Sequence, residues 1–212
     1  MLAPSAKNSI EKLQSFGNIF IPPSTGFLAS GLEGEGRMEE PEKIVSFIEN
    51  DIIKGLPLFN KKVLITAGPT HESIDPVRFI ANRSSGKMGI ALAIEAANNG
   101  ALVSLVLGPT HLECIHTNIK VYKVITASQM YEQVNACFST SDIGIFTAAV
   151  ADYSPKVKFD SKQKKESASL NTIELIQTKD ILKALGEAKK NQKLIGFALE
   201  TDNELENGRR KL

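Results

Sequence analysis

Residues 79–89 read FIANRSSGKMG and set a glycine beside a lysine just before an apolar periodic stretch. A helix mouth of that kind offers main-chain N–H groups, the positive end of the helix dipole and a cation, which together suit a phosphate or carboxylate. The two commonest nucleotide motifs do not fit. GxxxxGK[ST] would need glycine at position 81 and Ser or Thr at 88, where the chain has Ala81 and Met88. GxGxxG is missing after the first strand, where the sequence is TAGPTHES. The physics survives without either motif. Ser84, Ser85 and Gly86 can present amides to an anion, Lys87 adds a charge, and Gly89 permits close approach to a sheet. The plainer reading is that Ser84 or Ser85 simply caps the helix.

The connection before this helix favours a ligand. Loop 69–83 carries Asp75, Arg78, Asn82 and Arg83 and is far longer than the two to six residues usual between strand and helix. Gly68, at the end of the preceding strand, joins Arg78, Ser84, Ser85, Gly86 and Lys87 as the candidate phosphate- and substrate-binding set. Further along, TAAVAD (147–152) sets small residues at a strand end, where a flat base or ribose would approach the backbone; tight packing explains the same pattern. Asp152 stands where it would take a sugar hydroxyl or a metal ion. The polar, basic stretch DSKQKKES (160–167) reads as a solvated loop or as a lid whose lysines close over phosphates.

The elements that must position these groups follow from hydrophobic period. From Lys61 onward strands alternate with helices: strands over 63–68, 102–108, 120–125, 143–152 and 193–201, and helices over 88–100, 128–138 and 180–190. Gly100 is expected to cap the first of these helices. The pattern predicts an α/β fold with a doubly wound, mostly parallel, Rossmann-like sheet. Ligands in such sheets bind beyond the carboxyl ends of the strands. Residues 1–58 read differently. They hold a short helix around Ile10–Phe16, a glycine-rich loop over 24–38 and a second helix over 39–52, too little for a domain of their own. They are read as a fragment of a neighbouring domain, with the main domain over 59–212.

Composition narrows the class. The formal net charge of +1 gives no overall field to attract nucleic acid or membrane, so the basic clusters are local. Cys114 and Cys137 are the only cysteines, without CxxC spacing, and His71, His111 and His116 form no metal-binding pattern. The N-terminus lacks the apolar core of a signal peptide, so a cytoplasmic protein is expected.

The motifs ITAGPTHESIDPVRFIANRSSGKMG, TAAVADYSP, KQKK, KDIL and GFALET occur in the order seen in bacterial phosphopantothenoylcysteine synthetase. Over roughly residues 60–212 the chain resembles that half of the bifunctional decarboxylase/synthetase of coenzyme A biosynthesis. The resemblance implies a ligase that joins 4'-phosphopantothenate to cysteine with CTP and Mg²⁺, through an acyl-cytidylate, releasing CMP and pyrophosphate. By the same resemblance Asn82 handles the acyl-cytidylate and Lys162 meets the nucleotide phosphates, as the catalytic pair. Phe146, Thr147, Ala148, Asp152, Ile176, Gln177, Thr178, Lys179, Phe197 and Lys211 match further nucleotide-contacting positions. A homodimer is implied as well. GFLASGLEGEGRMEEPEKIV resembles the substrate flap of the decarboxylase half, but Ala29-Ser30-Gly31 stands where the family commonly has Ala-Cys-Gly. FMN belongs to the flavin-binding part of that half, so no decarboxylase activity is expected of this chain. The synthetase motif is expected to continue past Leu212 with another lysine and a final strand, which makes the chain a partial domain on this reading.

Two other readings stay open. One is an NAD(P)-dependent reductase on a similar sheet, against which stand the missing GxGxxG and the absence of a Tyr-x-x-x-Lys pair. The other is a non-catalytic nucleotide-binding or dimerisation module.

Overall fold

A computed structural model describes residues 3–27, 31, 33–164, 172–197 and 206 of the 212. The chain divides into two compact units, Met1–Leu56 and Pro57–Leu212.

In the first unit, helix α1 (Pro4–Ser15) and helix α2 (Pro41–Lys54) each begin with proline in the first turn, where its fixed φ suits the helix and its missing N–H costs nothing. The sequence placed the first helix later, around Ile10–Phe16; the proline start moves it earlier and leaves Phe16 as its C-cap. Neither helix contains a buried residue. The glycine-rich stretch expected as loop is an antiparallel hairpin of β1 (Ser24–Phe27) and β2 (Glu33–Arg37), paired Thr25 to Glu35 and Phe27 to Glu33. Glycine and glutamate weaken strand propensity, and pairing overrides it here. Ala29 and Ser30 lie outside the described residues.

The second unit is built on a parallel sheet. Its strands are β3 (Lys62–Ala67), β6 (Leu102–Leu107), β7 (Ile119–Lys123), β8 (Ile143–Phe146) and β11 (Lys193–Gly196), in the spatial order β11-β8-β3-β6-β7. Five consecutive residues of β3, Val63 to Ala67, are buried, as a strand covered on both faces requires. Helix α3 (Lys87–Asn98) packs over Val63, Ile65, Val103 and Leu105. Helices α4 (Ala127–Phe138) and α5 (Ile181–Ala188) supply Met130, Val134, Ile181 and Leu185 to the opposite face, with Leu64, Val106 and Phe146. Each such aliphatic side chain contributes roughly 1.5–3 kcal/mol by its burial.

The chain winds from β3 outward through β6 to β7, then returns to the other side of β3 for β8 and β11. The order therefore reverses between β3 and β8, which creates the crevice where ligands bind in folds of this kind. This is the doubly wound, Rossmann-like sheet that the alternation of elements predicted.

Several bounds differ from expectation. β8 ends at Phe146 and not in the run to 152, because Thr147 to Ala151 leave the strand to bond the end of β3. Asp180 caps α5 from outside, its side chain accepting from the Lys183 N–H. Gly100 follows the C-cap, which is Asn99. Two small antiparallel pairs were not foreseen: β4 (His71–Ser73) with β5 (Phe79–Ala81), and β9 (Tyr153–Pro155) with β10 (Leu175–Gln177).

Candidate functional site

The site is the crevice beyond the carboxyl ends of β3 and β8, and its floor is fixed by glycine. Gly86, the N-cap of α3, has φ 77°, and Gly68 at the end of β3 has φ 81°. A Cβ on Gly86 would come 3.3 Å from the Gly68 Cα, so both positions favour glycine for backbone reasons and for closeness. One turn on, a Cβ on Gly89 would stand 2.4 Å from both Ala67 Cβ and Thr147 Oγ1. The missing side chain lets the first turn of α3 rest directly on the two strand ends.

Both β3 and β6 are followed by Gly-Pro-Thr-His, and each threonine hydroxyl holds a different loop. Thr70, fully buried, accepts from the Ala151 N–H at 3.0 Å. Thr110 donates to the Ser85 carbonyl at 2.7 Å. Thr66 takes part too: its carbonyl accepts from Thr147 Oγ1 (2.6 Å) and its hydroxyl from the Ala148 N–H (3.3 Å). The amides of Thr147, Ala148, Ala149 and Ala151 are thus engaged by the end of β3. Any contact these residues make with a ligand falls to their carbonyls and side chains.

Asn82 leaves β5 at the crevice. Its Nδ2 donates to the Val150 carbonyl at 2.8 Å, and the residue is exposed. At the mouth of α3 neither serine is the cap that the plainer reading expected: the N-cap is Gly86, without a side-chain cap bond, and the serines close local turns ahead of it. Ser84 Oγ accepts from the Gly86 N–H at 3.3 Å and Ser85 Oγ from the Lys87 N–H at 3.4 Å. Both bonds are long, at the weak end of hydrogen-bonding range. Lys87 is exposed beside them.

Arg78 is engaged elsewhere in the same loop. Its guanidinium ion-pairs with the buried Asp75 and donates to the Gln163 carbonyl at 2.8 Å. Hydrogen bonding from Arg78 foremost, then from nearby amides, holds the Asp75 carboxyl well below the usual carboxylate range, against the opposing effect of burial.

The remaining candidates are spread around the rim. Phe146 is buried in the core between sheet and helices. Thr178 bridges to the β8 loop, its hydroxyl donating to the Ala151 carbonyl (2.7 Å) and its N–H to the Asp152 carbonyl (2.9 Å). Lys179 rests its ammonium 4.6 Å from the centre of the Tyr131 ring on α4. Ile176, Gln177, Phe197, Asp152 and Lys162 are exposed. Lys211 lies outside the described residues. No group of three His, Cys, Asp or Glu able to hold a metal occurs among the described residues. A hollow of about 460 Å³ lies at the opposite, amino-terminal end of the sheet, lined by Lys62, Leu102, Asn118, Lys120 and Thr140 among others. None of the candidate residues borders it.

Sequence reasoning missed Thr66, Thr70 and Glu72. Each is a buried polar residue at or just after the first strand, and a polar side chain in that apolar context was the available signal. The Glu72 carboxylate accepts from the Ala127 N–H at 2.8 Å and so tethers the start of α4, beside the Thr126–Gln129 capping box.

Comparison with known proteins bears on the same region. Residues 58–212 match the family described as DNA/pantothenate metabolism flavoprotein C-terminal domain. The chain is 48% identical over 211 residues to the coenzyme A biosynthesis bifunctional protein CoaBC of Bacillus subtilis, covering 99% of this chain and 52% of the relative. It is likewise 48% identical over 217 residues to a cysteine/cysteine sulfinic acid decarboxylase of an unknown prokaryotic organism, covering all of this chain and 60% of that protein. The chain thus spans little more than half the length of these curated relatives. The crystal structure of the C-terminal domain of a coenzyme A biosynthesis bifunctional protein CoaBC superposes with a TM-score of 0.65 at 49% identity, over 73% of this chain and 72% of that one.

Proposed function

The chain belongs to the family of DNA/pantothenate metabolism flavoprotein C-terminal domains, and from that premise we propose that it carries the phosphopantothenate–cysteine ligase function of coenzyme A biosynthesis. On this reading CTP is the activating nucleotide. The carboxylate oxygen of 4'-phosphopantothenate attacks the α-phosphorus of CTP and pyrophosphate leaves. The cysteine amine then attacks the acyl carbon, CMP leaves with the electron pair of the broken C–O bond, and the amine proton goes to solvent.

The observation that carries the proposal is the setting of Asn82. Its side-chain amide is anchored by the Val150 carbonyl at the β3/β8 switch point, on the chain leading into the glycine-lined start of α3. A group fixed in that way can hold an acyl-phosphate without rearranging, which is how a site accelerates reaction between two bound anions. The start of α3 supplies N–H groups and dipole for the phosphates, and Lys87 and Lys162 supply charge. Thr147 to Val150 offer carbonyls and small side chains to a flat base. With the amides of Thr147, Ala148 and Ala149 already bonded to Thr66 and Gly68, these residues would read the base mainly by accepting hydrogen bonds, which suits an exocyclic amino group. The decarboxylase name belongs to the longer relative and is not carried to this chain.

Asp152 is the one carboxylate in the candidate set, and magnesium would fit beside it. Mg²⁺ commonly takes one or two carboxylates plus substrate phosphates, keeping several waters. Asp152, exposed on the β8 loop, is the carboxylate that would share it with the nucleotide. The ion's chemistry would be to neutralise charge on the phosphates as pyrophosphate departs. A homodimer with cytoplasmic location is the accompanying expectation; among the described residues no helix is long and apolar enough to cross a membrane.

Calorimetry with CTP, ATP and NADPH in parallel, each with Mg²⁺, tests the reading. CTP should bind selectively, and Asn82→Asp should weaken binding only when phosphopantothenate is also present. NADPH binding without a CTP response would sink the ligase in favour of a reductase.

A further inference from the structure

Asp75 has no exposed side-chain surface, and a carboxylate so enclosed must find donors for both oxygens. Oδ1 accepts from the N–H groups of Val77 (2.8 Å) and Arg78 (2.9 Å), which closes the turn between β4 and β5. Those two bonds, with the Ile74 N–H to Arg78 carbonyl bond at 2.9 Å, are all that the turn needs. Oδ2 does something else. It accepts from Arg78 Nε (3.0 Å) and Nη2, and from the Gln163 N–H (3.2 Å), 88 residues away in the sequence. Arg78 Nη2 in turn donates to the Gln163 carbonyl (2.8 Å). Both polar atoms of the Gln163 main chain are therefore held by the turn of one hairpin. Four residues earlier, the Phe159 N–H donates to the Ile74 carbonyl at 2.9 Å, so the approaching chain is tied to the same turn.

Burying the Asp75 carboxylate is unfavourable unless both oxygens find donors, and the amides of the turn engage only Oδ1. The reach of Oδ2 to Gln163 is what the turn alone does not explain. The far end of the hairpin is fixed as well: the His71 N–H donates to the Ile125 carbonyl (2.7 Å), and Asn82 Nδ2 to the Val150 carbonyl (2.8 Å). From Arg78 to Asn82 is four residues of extended chain, roughly 13 Å at 3.3 Å each.

We propose that Asp75 and Arg78 are positioning residues that clamp the main chain at Gln163, so that the β4–β5 hairpin holds the lysines on either side of it, Lys162 and Lys164, at a fixed span from Asn82. The hairpin is then a spacer between the group that meets the acyl-phosphate and the groups that meet the nucleotide phosphates. Those two assignments rest on the ligase reading; the clamp itself does not. The bonds at Gln163 are charge-assisted through Asp75 Oδ2 and Arg78, which makes them stronger than bonds between neutral groups.

The test uses a nitroxide on Ser161→Cys in a Cys114→Ser/Cys137→Ser background of the full chain, with a second label on Ser128→Cys in α4 as control. Electron paramagnetic resonance line shapes report local motion without nucleotide. Asp75→Asn should sharpen the spectrum at 161 and leave that at 128 unchanged. Arg78→Lys keeps the charge next to Asp75 but lacks the fork that reaches Gln163, and should do the same if Asp75→Asn does not fold. In steady-state ligation, both variants should lower kcat by ten- to a hundredfold with a change in the KM for CTP of threefold or less, because misplacement costs more in the transition state than in binding. A folded variant whose label at 161 stays as ordered as before overturns the clamp, and so does a full kcat with a mobile label. Failure of the ligase reading would show separately, as no CTP binding by the chain with Asp75 and Arg78 intact.

Discussion

The two ends of the parallel sheet are made of the same strands and could hardly be more different. At the amino-terminal end the chain leaves an open hollow of about 460 Å³, lined by ordinary strand and loop residues such as Leu102, Asn118 and Thr140. At the carboxyl end the polar chemistry is dense: Thr66, Thr70, Glu72 and Asp75 are all buried, and each bonds a neighbouring segment. Burying polar groups is unfavourable unless each finds a partner, so a cluster of satisfied ones marks where the fold accepts cost to fix geometry.

The sharpest way to break this contrast is at Gly89. A side chain there meets Ala67 and Thr147 at distances no packing tolerates, so Gly89→Val must push α3 off the strand ends. We expect about 3 kcal/mol of lost stability, at the upper end of overpacking costs, and loss of CTP binding. Chemical denaturation and calorimetry on the same sample check both. Lys120→Ala at the amino-terminal hollow is the matched control and should change CTP affinity less than twofold.

Thr70→Val should have the next largest effect. It keeps the shape of the side chain but orphans the buried Ala151 N–H, at a cost of about 2 kcal/mol. Because Ala151 also accepts from Thr178, the loss should loosen the contact between the β8 loop and the segment after β10. Hydrogen exchange at Ala151 and Thr178 would detect it. Protection unchanged at both amides would mean that the loop is held by other contacts.

The smallest effect separates charge from shape at Asp75. Its carboxyl titrates lower in the folded chain than in the unfolded one, so the unfolded state takes up the proton first as the solution is acidified. The ion pair thus adds stability that is fully present above the ordinary carboxylate pKa of about 4 and is lost as pH falls below it. Asp75→Asn should flatten the decline of unfolding temperature between about pH 4 and pH 2. A slope equal to that of the unsubstituted chain would assign the acid sensitivity to other carboxylates.

Much of the sheet was legible in the sequence because its signals are local. Buried strands such as VLITA are continuous apolar runs, and α3 repeats small apolar residues at positions 89, 90, 93, 96 and 97, which make one face of a helix. Its start was written in Ser84 to Lys87, whereas the helix expected over 128–138 starts earlier, at Ala127, behind a Thr126–Gln129 capping box that was not foreseen. The loop over 69–83 declared itself by length and polarity. That strands alternate with helices was enough to predict the doubly wound order.

What the sequence could not carry is everything that depends on a partner far along the chain. β4–β5 and β9–β10 are three-residue strands without enough periodicity to be recognised, and they exist because antiparallel pairing satisfies their N–H and C=O groups. Phe146 matched a nucleotide-contacting position, yet its depth in the core follows from which face of β8 meets α4 and α5. Arg78 looked like a free cation for phosphate; only the fold brings it against Asp75 and Gln163. Residue types and their spacing determined the alternating elements of this chain and led to the reading of a crevice suited to anionic ligands. The tertiary structure decided which of its polar groups face that crevice and which hold it in shape, because a hydrogen bond forms between atoms that are close in space, and sequence distance does not record that.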